Sequence, residues 1–347
     1  MTSVAASPVI TTPSRALSKR RSIALGLLLS LVLAGGGTYA IYRRDMRAAK
    51  SAALSGSALI PTACGPIEYA ERGSGPPVLS KHGTGGGWDQ GLFIARGLSE
   101  RGFRVIAPSR NGYLRTPMPG NPSPQHEAKM LVCLLDALKI DRASVIAASA
   151  GATPALQLGL QYPKRVSSLV LLVPAVGGIL PPDTADLVSP VIMNVVLKSD
   201  FPYWAAMKVW PKAMLTIVAT PSSLVPHLDD RSRRDMNEAI RMILPVTRRR
   251  EGILYDANNQ KSERPYPLER LTVPTMLMSA ADDLYGTLAN ARAAASAIPG
   301  AQLIEFASGG HLLLGRDAEI WPRVADFMRF GKDERRSNSV IARKPDL

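Results

Sequence analysis

An apolar run that ends in a cluster of very small residues most constrains the fold of this chain. Residues 143–148 read ASVIAA, Ser149 follows, and Ala150-Gly151 lead into a stretch with helical apolar spacing that stops before Pro163. A nearly continuous apolar run of this length is typical of a strand buried in a parallel sheet. Tiny neighbours on both sides of Ser149 permit a sharp strand-to-helix turn that exposes the hydroxyl. The segment therefore predicts a nucleophilic serine at the carboxyl end of a buried strand.

Strand and helix signals alternate along most of the remaining chain. Further strands are predicted at 59–63, 67–72, 78–81, 103–107, 168–173, 274–279 and 301–306. This alternation predicts an α/β fold with a mostly parallel central sheet and helices on both faces. The pattern breaks in a stretch rich in Met, Trp and Pro, which predicts a helical cap inserted between two strands. The predicted domains are a core at 57–175 and 272–331, a cap at 176–271 and a polar tail at 332–347.

The N-terminal region predicts a membrane segment. Ile23–Tyr42 are 20 residues without a charge, which is enough to cross a hydrocarbon core of about 30 Å. Two interpretations compete, an uncleaved transmembrane anchor and a cleaved signal peptide. The anchor is favoured, with a basic cytoplasmic N-terminus at 1–22, a linker at 43–56 and the folded domain outside the cytoplasm. The alternative is a secreted or periplasmic protein after signal cleavage.

The charge distribution argues against nucleic acid as a partner. Residues 1–50 carry eight basic side chains and one acidic one, so they hold +7 of the net charge of +14. A nucleic-acid surface requires a basic stripe on the folded part of a protein. Here the basic clusters flank the apolar segment instead. The two cysteines, Cys64 and Cys133, offer no metal-binding spacing. We expect no metal and no cofactor. Cys133 is expected to be a small core residue, a role favoured over a Cys64–Cys133 disulfide, which is the alternative in an exported protein.

A glycine-rich loop follows the predicted strand that ends at Lys81. Residues 82–87 read HGTGGG, so their backbone amides can approach a substrate carbonyl closely. No Gly-Lys-Ser/Thr ending follows, which disfavours a phosphate-binding loop. The amides of Thr84 and Ala150 are the predicted oxyanion donors. His82, Gly83 and Gly85 form the rest of this oxyanion loop, with His82 in a structural role.

A histidine base and a carboxylate partner are predicted at the same edge of the sheet. Of the four histidines, only His311 follows a predicted strand of the sheet's second half, in a loop that begins Gly309-Gly310. Asp282 and Asp283 follow the preceding strand, and both are candidates for the acid. Active sites on open sheets form in loops at the carboxyl ends of strands. The chain order Ser, Asp, His is the one that such a fold requires.

Four segments together resemble the α/β-hydrolase superfamily. They read HGTGGG, AASAG, PTMLMSAADD and GGH, and the resemblance covers about residues 57–330. It implies a catalytic triad of Ser149, Asp283 and His311, because Asp283 occupies the fourth position of the family's G-x-x-D strand end. Four residues depart from the family pattern. They are Ala280 at the glycine of the G-x-x-D strand end, Ala147 at the first glycine of the elbow, Ser109 at a usual Asp, and Lys81 in a normally apolar strand.

The resemblance implies a serine hydrolase that cleaves a carboxylic ester through an acyl-enzyme intermediate. A carbon–carbon bond hydrolase or a perhydrolase with the same triad is an alternative, and a non-catalytic binding module is a second. The expected partner is a small, apolar, ester-like substrate. Tyr203, Trp204 and Trp210 in the cap are predicted to line its pocket, although ordinary packing of the cap is the other interpretation.

Overall fold

One eight-stranded sheet organises the protein. The computed structural model describes residues 15–176, 190–259 and 266–330. The strands are β1 (Ala58–Thr62), β2 (Gly65–Arg72), β3 (Pro77–Lys81), β4 (Arg104–Pro108), β5 (Ala143–Ala148), β6 (Val166–Leu172), β7 (Thr275–Ala280) and β8 (Gln302–Phe306). Their order is β1-β2-β4-β3-β5-β6-β7-β8. Only the β1–β2 and β2–β4 pairs are antiparallel, so the mostly parallel sheet is confirmed.

Helices cover both faces of the sheet. They are α1 (Arg15–Ser55), α2 (Trp88–Ile94), α3 (Arg96–Ser99), α4 (Pro124–Ala137), α5 (Ala152–Gln161), α6 (Pro190–Val196), α7 (Phe201–Val209), α8 (Pro211–Ile217), α9 (Asp230–Arg241), α10 (Arg250–Asn259), α11 (Thr287–Ala297) and α12 (Asp317–Phe330). One buried apolar cluster joins the sheet to α4, α5 and α11. A second cluster joins it to α2, α3 and α12. Neighbouring strand residues such as Val78 and Leu79 fall in different clusters because side chains alternate across a strand.

The insertion between β6 and β7 is helical where it is described. Helices α6 to α10 occupy residues 190–259, as the cap prediction requires. Residues 177–189 and 260–265 of the predicted cap, and the predicted tail at 332–347, lie outside the described residues.

The N-terminal region differs from its prediction in two ways. The structure continues α1 through the predicted linker at 43–56, because that stretch is rich in Ala, Arg, Lys and Leu, which favour helix despite their polarity. Among the residues that the structure describes, no helix is long and apolar enough to span a membrane, so the anchor at Ile23–Tyr42 is not supported. Gly35, Gly36 and Gly37 add no apolar side chains to this segment. Several of its other side chains, from Ile23 to Leu31, lie outside the described residues. The described residues divide into two compact units, one that ends at Ala48 and one that begins at Ala49.

The expectation about the two cysteines is wrong. Cys64, in the β1–β2 turn, and Cys133, in α4, form a disulfide with their Cα atoms 6.0 Å apart. The two residues are 69 positions apart in sequence, so only the packing of α4 beside β1 brings them together. Sequence spacing carries no information on such a contact.

Candidate active site

Ser149 occupies a strained turn between β5 and α5. Its φ angle is +50°, in the left-handed region that non-glycine residues rarely adopt, and a short 3-10 turn leads from it into α5. A Cβ atom on Gly151 would lie 2.6 Å from the His82 carbonyl oxygen, so only glycine fits there. A Cβ on Gly83 would lie 3.0 Å from the Ser149 Cβ. The turn and the glycine-rich loop are therefore packed directly against each other.

Hydrogen bonds from the core hold the glycine-rich loop in place. The amide of Gly83 donates to Gln90 Oε1 at 2.9 Å, and the amide of Gly85 donates to the Tyr113 hydroxyl at 3.3 Å. These two amides are thus already engaged, which is compatible with the choice of Thr84 as the loop's oxyanion donor. The Thr84 residue is exposed, as a group that meets substrate has to be.

His82 is a structural residue of this loop by its contacts. Its Nε2 accepts the Arg110 amide at 2.9 Å, so the proton is on Nδ1, which donates to the Gly83 carbonyl at 2.7 Å. Burial, assisted by the positive charges of Arg110 and Lys81, holds the pKa of His82 well below its ordinary value of 6.5. A neutral imidazole with both nitrogens engaged is not available as a base.

The loop after β7 places Asp283 against His311. His311 Nδ1 lies 2.8 Å from Asp283 Oδ2, and Thr287 Oγ1 donates to the same oxygen. The amide of Tyr285 donates to the other carboxylate oxygen at 2.9 Å. With the His311 Nδ1 proton directed at a buried carboxylate, Nε2 is the nitrogen that can accept a proton.

Asp282 contacts the backbone of the histidine loop and not the imidazole. Its two oxygens accept the amides of Gly310 at 2.8 Å and Gly309 at 3.3 Å. Asp282 therefore shapes the loop that carries His311, whereas Asp283 contacts the ring.

Sequence reasoning missed Tyr285 and the cap residue Ala219. The Tyr285 ring meets the His311 ring edge-on, with centroids 4.9 Å apart. Burial, and then the charge of Asp283, raises the pKa of Tyr285 to about 12, so this phenol is neutral at physiological pH. The Ala219 carbonyl accepts the His311 amide at 3.3 Å, which ties the histidine loop to the cap. No sequence pattern marks a backbone carbonyl of this kind.

A buried cluster of four charges, also missed, lies beside the glycine-rich loop. Glu127 Oε1 contacts Lys81 Nζ at 2.8 Å and Arg110 Nε at 3.0 Å, and Arg110 Nη2 lies 2.8 Å from Asp256 Oδ1. All four side chains are at most 4% exposed. Two positive and two negative charges balance, which is what burial of ions requires. The contact with Glu127 accounts for Lys81, which is unexpected in a buried strand.

The predicted pocket aromatics differ in their burial and contacts. Trp204 is 5% exposed, whereas Trp210, between α7 and α8, is 64% exposed. The Tyr203 hydroxyl donates to the Ile240 carbonyl at 2.8 Å, within the cap. A role for these side chains in substrate binding stays a prediction.

The elbow, the histidine–carboxylate pair and the glycine-rich loop follow strands of one parallel sheet. Ser149 follows β5, Asp283 follows β7 and His311 follows β8, so all three lie at the carboxyl edge where such sheets place their sites. A serine at a strand-to-helix turn beside a histidine–carboxylate pair is typical of one class of α/β enzyme. The chain belongs to the alpha/beta hydrolase fold family, whose family model matches residues 76–317. The protein is therefore a hydrolase, and the resemblance stated from its motifs is confirmed.

Two of the similar proteins match most of the chain, and a third matches about a third of it. The uncharacterized hydrolase YcgS of Bacillus subtilis is 30% identical over 264 residues, which are 73% of this chain and 91% of the relative. The 2-hydroxy-6-oxo-6-phenylhexa-2,4-dienoate hydrolase of Comamonas testosteroni is 30% identical over 113 residues, 31% of this chain and 40% of the relative. An alpha/beta hydrolase fold protein from Nakamurella multipartita has a solved structure that matches with a TM-score of 0.61 at 25% identity. That match covers 79% of this chain and 99% of the other.

Proposed function

We propose that the protein is a serine hydrolase of carboxylic esters that works through a Ser149–His311–Asp283 triad. The observation that carries the proposal is the 2.8 Å contact between His311 Nδ1 and Asp283 Oδ2 on loops at the same sheet edge as the strained Ser149. A buried carboxylate on Nδ1 selects the tautomer in which Nε2 can take a proton from a serine.

In the proposed reaction, Ser149 Oγ attacks the ester carbonyl while His311 Nε2 takes its proton. The amides of Ala150 and Thr84 stabilise the oxyanion that forms. His311 then gives the proton to the departing alkoxide, and the acyl group stays on Ser149. Water, deprotonated by His311, attacks this acyl-enzyme, and the carboxylic acid leaves as Ser149 regains its proton.

A carbon–carbon bond hydrolase is the second candidate. The Comamonas testosteroni relative, named as a hydrolase of 2-hydroxy-6-oxo-6-phenylhexa-2,4-dienoate, supports this alternative over part of the chain. The same nucleophile, base and oxyanion donors serve both reactions, so the pocket decides between them. We rank the ester reaction first because the triad requires no further group for it.

Covalent labelling tests the nucleophile directly. A fluorophosphonate probe should attach to Ser149 in the wild type, as located by peptide mass spectrometry, and should fail to label Ser149→Ala. A panel of p-nitrophenyl esters with graded acyl length, run beside a 2-hydroxy-6-oxo-dienoate, then ranks the two reactions. A folded protein that neither reacts with the probe nor turns over either substrate would be a non-catalytic binding module.

We also propose an extracytoplasmic location for the hydrolase unit. The Cys64–Cys133 disulfide supports it, since disulfides persist in oxidising compartments and are rare in the cytoplasm. Thiol labelling with a maleimide reagent, after rapid acid quenching of the native host's cells, should leave both cysteines unlabelled unless the protein is first reduced. Labelling without reduction would contradict this location.

A further inference from the structure

A single cap carboxylate accepts hydrogen bonds from one side chain of the glycine-rich loop and from two side chains beside it. Asp256, in α10, is 4% exposed. Its Oδ2 accepts the hydroxyls of Thr84 at 2.9 Å and Tyr113 at 2.6 Å. Arg110 donates to both carboxylate oxygens, at 2.8 and 2.9 Å. These four hydrogen bonds all reach Asp256 from the core side of the cap–core boundary.

Two of these partners also bind the loop themselves, one at its backbone and one at the His82 side chain. The Tyr113 hydroxyl accepts the amide of Gly85, and the Arg110 amide donates to His82 Nε2. Loop residues 82, 84 and 85 are thus each connected to Asp256, either directly or through one intermediate residue. Burial, and then the charge of Asp256, raises the pKa of Tyr113 well above 10, so its hydroxyl keeps the proton that it donates.

The charge of Asp256 stabilises the charged form of Arg110. Burial on its own would lower the pKa of Arg110, but Asp256 and Glu127 outweigh it and raise that pKa well above its ordinary value. Arg110 is therefore a permanent cation between two carboxylates. Without the Asp256 charge, the guanidinium would retain only the Glu127 side of its pairing, and Thr84 would lose the acceptor for its hydroxyl.

We propose that Asp256 is a positioning residue for the oxyanion hole, through which the cap holds Thr84 in place. The inference rests on the proposed function, since it assumes that the Thr84 amide binds an oxyanion. An oxyanion donor acts only when it is preorganised within about 2.7–3.1 Å of the developing charge. A cap contact that restrains Thr84 should therefore affect the transition state more than substrate binding.

Two variants at Thr84 isolate this contact. Thr84→Val keeps the backbone amide but removes the hydroxyl that donates to Asp256, whereas Thr84→Ser retains it. We expect Thr84→Val to lower kcat for a p-nitrophenyl ester about 10-fold, with KM changed less than about threefold, because transition-state stabilisation is lost. Thr84→Ser should recover kcat to within about threefold of the wild type. Asp256→Asn should lower kcat at least as far as Thr84→Val.

Asp200→Asn is the matched control for the Asp256 variant. Asp200 is also a buried cap aspartate at 4% exposure, but its carboxylate accepts the amide and hydroxyl of Thr247 and, among the described residues, makes no hydrogen bond with the loop. We expect Asp200→Asn to lower the melting temperature while leaving kcat unchanged. If Asp256→Asn does not fold, the Thr84 pair still decides, because Thr84 is exposed and loses a single hydrogen bond.

The outcomes separate this inference from the proposed function. Wild-type protein that the fluorophosphonate probe labels at Ser149, together with Thr84→Val and Asp256→Asn proteins that react at the wild-type rate, would overturn the inference alone. Equal losses of kcat in Thr84→Val and Thr84→Ser would overturn it as well. Wild-type protein that the probe does not label would overturn the proposed function and this inference with it.

Discussion

The carboxylate of Asp282 accepts a hydrogen bond from the amide of Gly310 at 2.8 Å, one residue before the candidate base. The next residue in sequence, Asp283, contacts the His311 ring instead. Two adjacent carboxylates after β7 thus have separate tasks, one on the backbone of the histidine loop and one on the imidazole. The difference between them is testable.

We expect Asp283→Asn to lower kcat for a p-nitrophenyl ester by about 10⁴-fold, because an amide at this position favours the wrong imidazole tautomer. Asp282→Asn keeps a carbonyl oxygen that accepts the Gly310 amide, so this variant should lose less than about tenfold in kcat. Steady-state kinetics of both variants make the comparison. The opposite ranking would transfer the orienting role to Asp282.

Ser149→Ala should lower turnover by roughly 10³-fold or more while the fold is retained, since alanine is small enough for the elbow. Ser149→Gly should be as inactive as Ser149→Ala. Its free energy of unfolding should exceed that of Ser149→Ala by about 1 kcal/mol, because glycine adopts the φ of +50° without strain. Ester hydrolysis and urea denaturation measure the two effects. Undiminished turnover in either variant would remove Ser149 as the nucleophile.

The free energy of unfolding should decrease as the pH is lowered below about 6.5, because of His82. Its pKa in the folded protein is depressed well below the ordinary 6.5, so the unfolded chain binds a proton that the folded protein does not. The stabilisation is fully present above pH 6.5 and is lost toward the folded pKa, at up to about 1.4 kcal/mol per pH unit. Urea unfolding at pH 7.0 and 5.5 should show this loss in the wild type and a smaller one in His82→Asn. Equal losses in the two proteins would contradict it.

The Lys81–Glu127 pair should show strong energetic coupling. Lys81→Met or Glu127→Gln alone leaves a buried charge with fewer partners, which costs about 3–5 kcal/mol. The double variant should be more stable than the sum of the single losses predicts, by about 0.5–3 kcal/mol. A double-mutant cycle in urea measures this coupling. Strict additivity would mean that Arg110 alone compensates Glu127.

Alanine variants of Trp204 and Trp210 should distinguish a role in cap packing from a role in substrate binding. Trp204→Ala removes a buried side chain and should lower the free energy of unfolding by about 3–5 kcal/mol. Trp210 is largely exposed, so Trp210→Ala should change stability by less than about 0.5 kcal/mol. If Trp210 lines the acyl pocket as predicted, its variant should shift the preferred acyl chain length. An ester profile identical to that of the wild type would remove Trp210 from the pocket.

Local patterns were sufficient to predict the sheet, its helices and the main candidates of the site. The buried strand at 143–148, the tiny residues around Ser149 and the glycines at 83 and 151 reflect steric limits that act between neighbours in sequence. The order of strands then places His311 at the same edge, because parallel strands end together. The choice of Asp283 over Asp282 came from family resemblance, and the described contacts agree with that choice.

The sequence by itself therefore determined the α/β fold class, the serine at the strand-to-helix turn and the loops that carry the candidate base and the candidate acid. Only the tertiary structure decided the Cys64–Cys133 bridge and the balance of buried charges beside the glycine-rich loop. The Arg110–Asp256 contact joins residues 146 positions apart, across the boundary between core and cap. Periodicity and turn chemistry act over a few residues, whereas ion pairs and disulfides depend on which distant surfaces pack together. Lys81 is therefore an anomaly in its strand and becomes intelligible only beside Glu127.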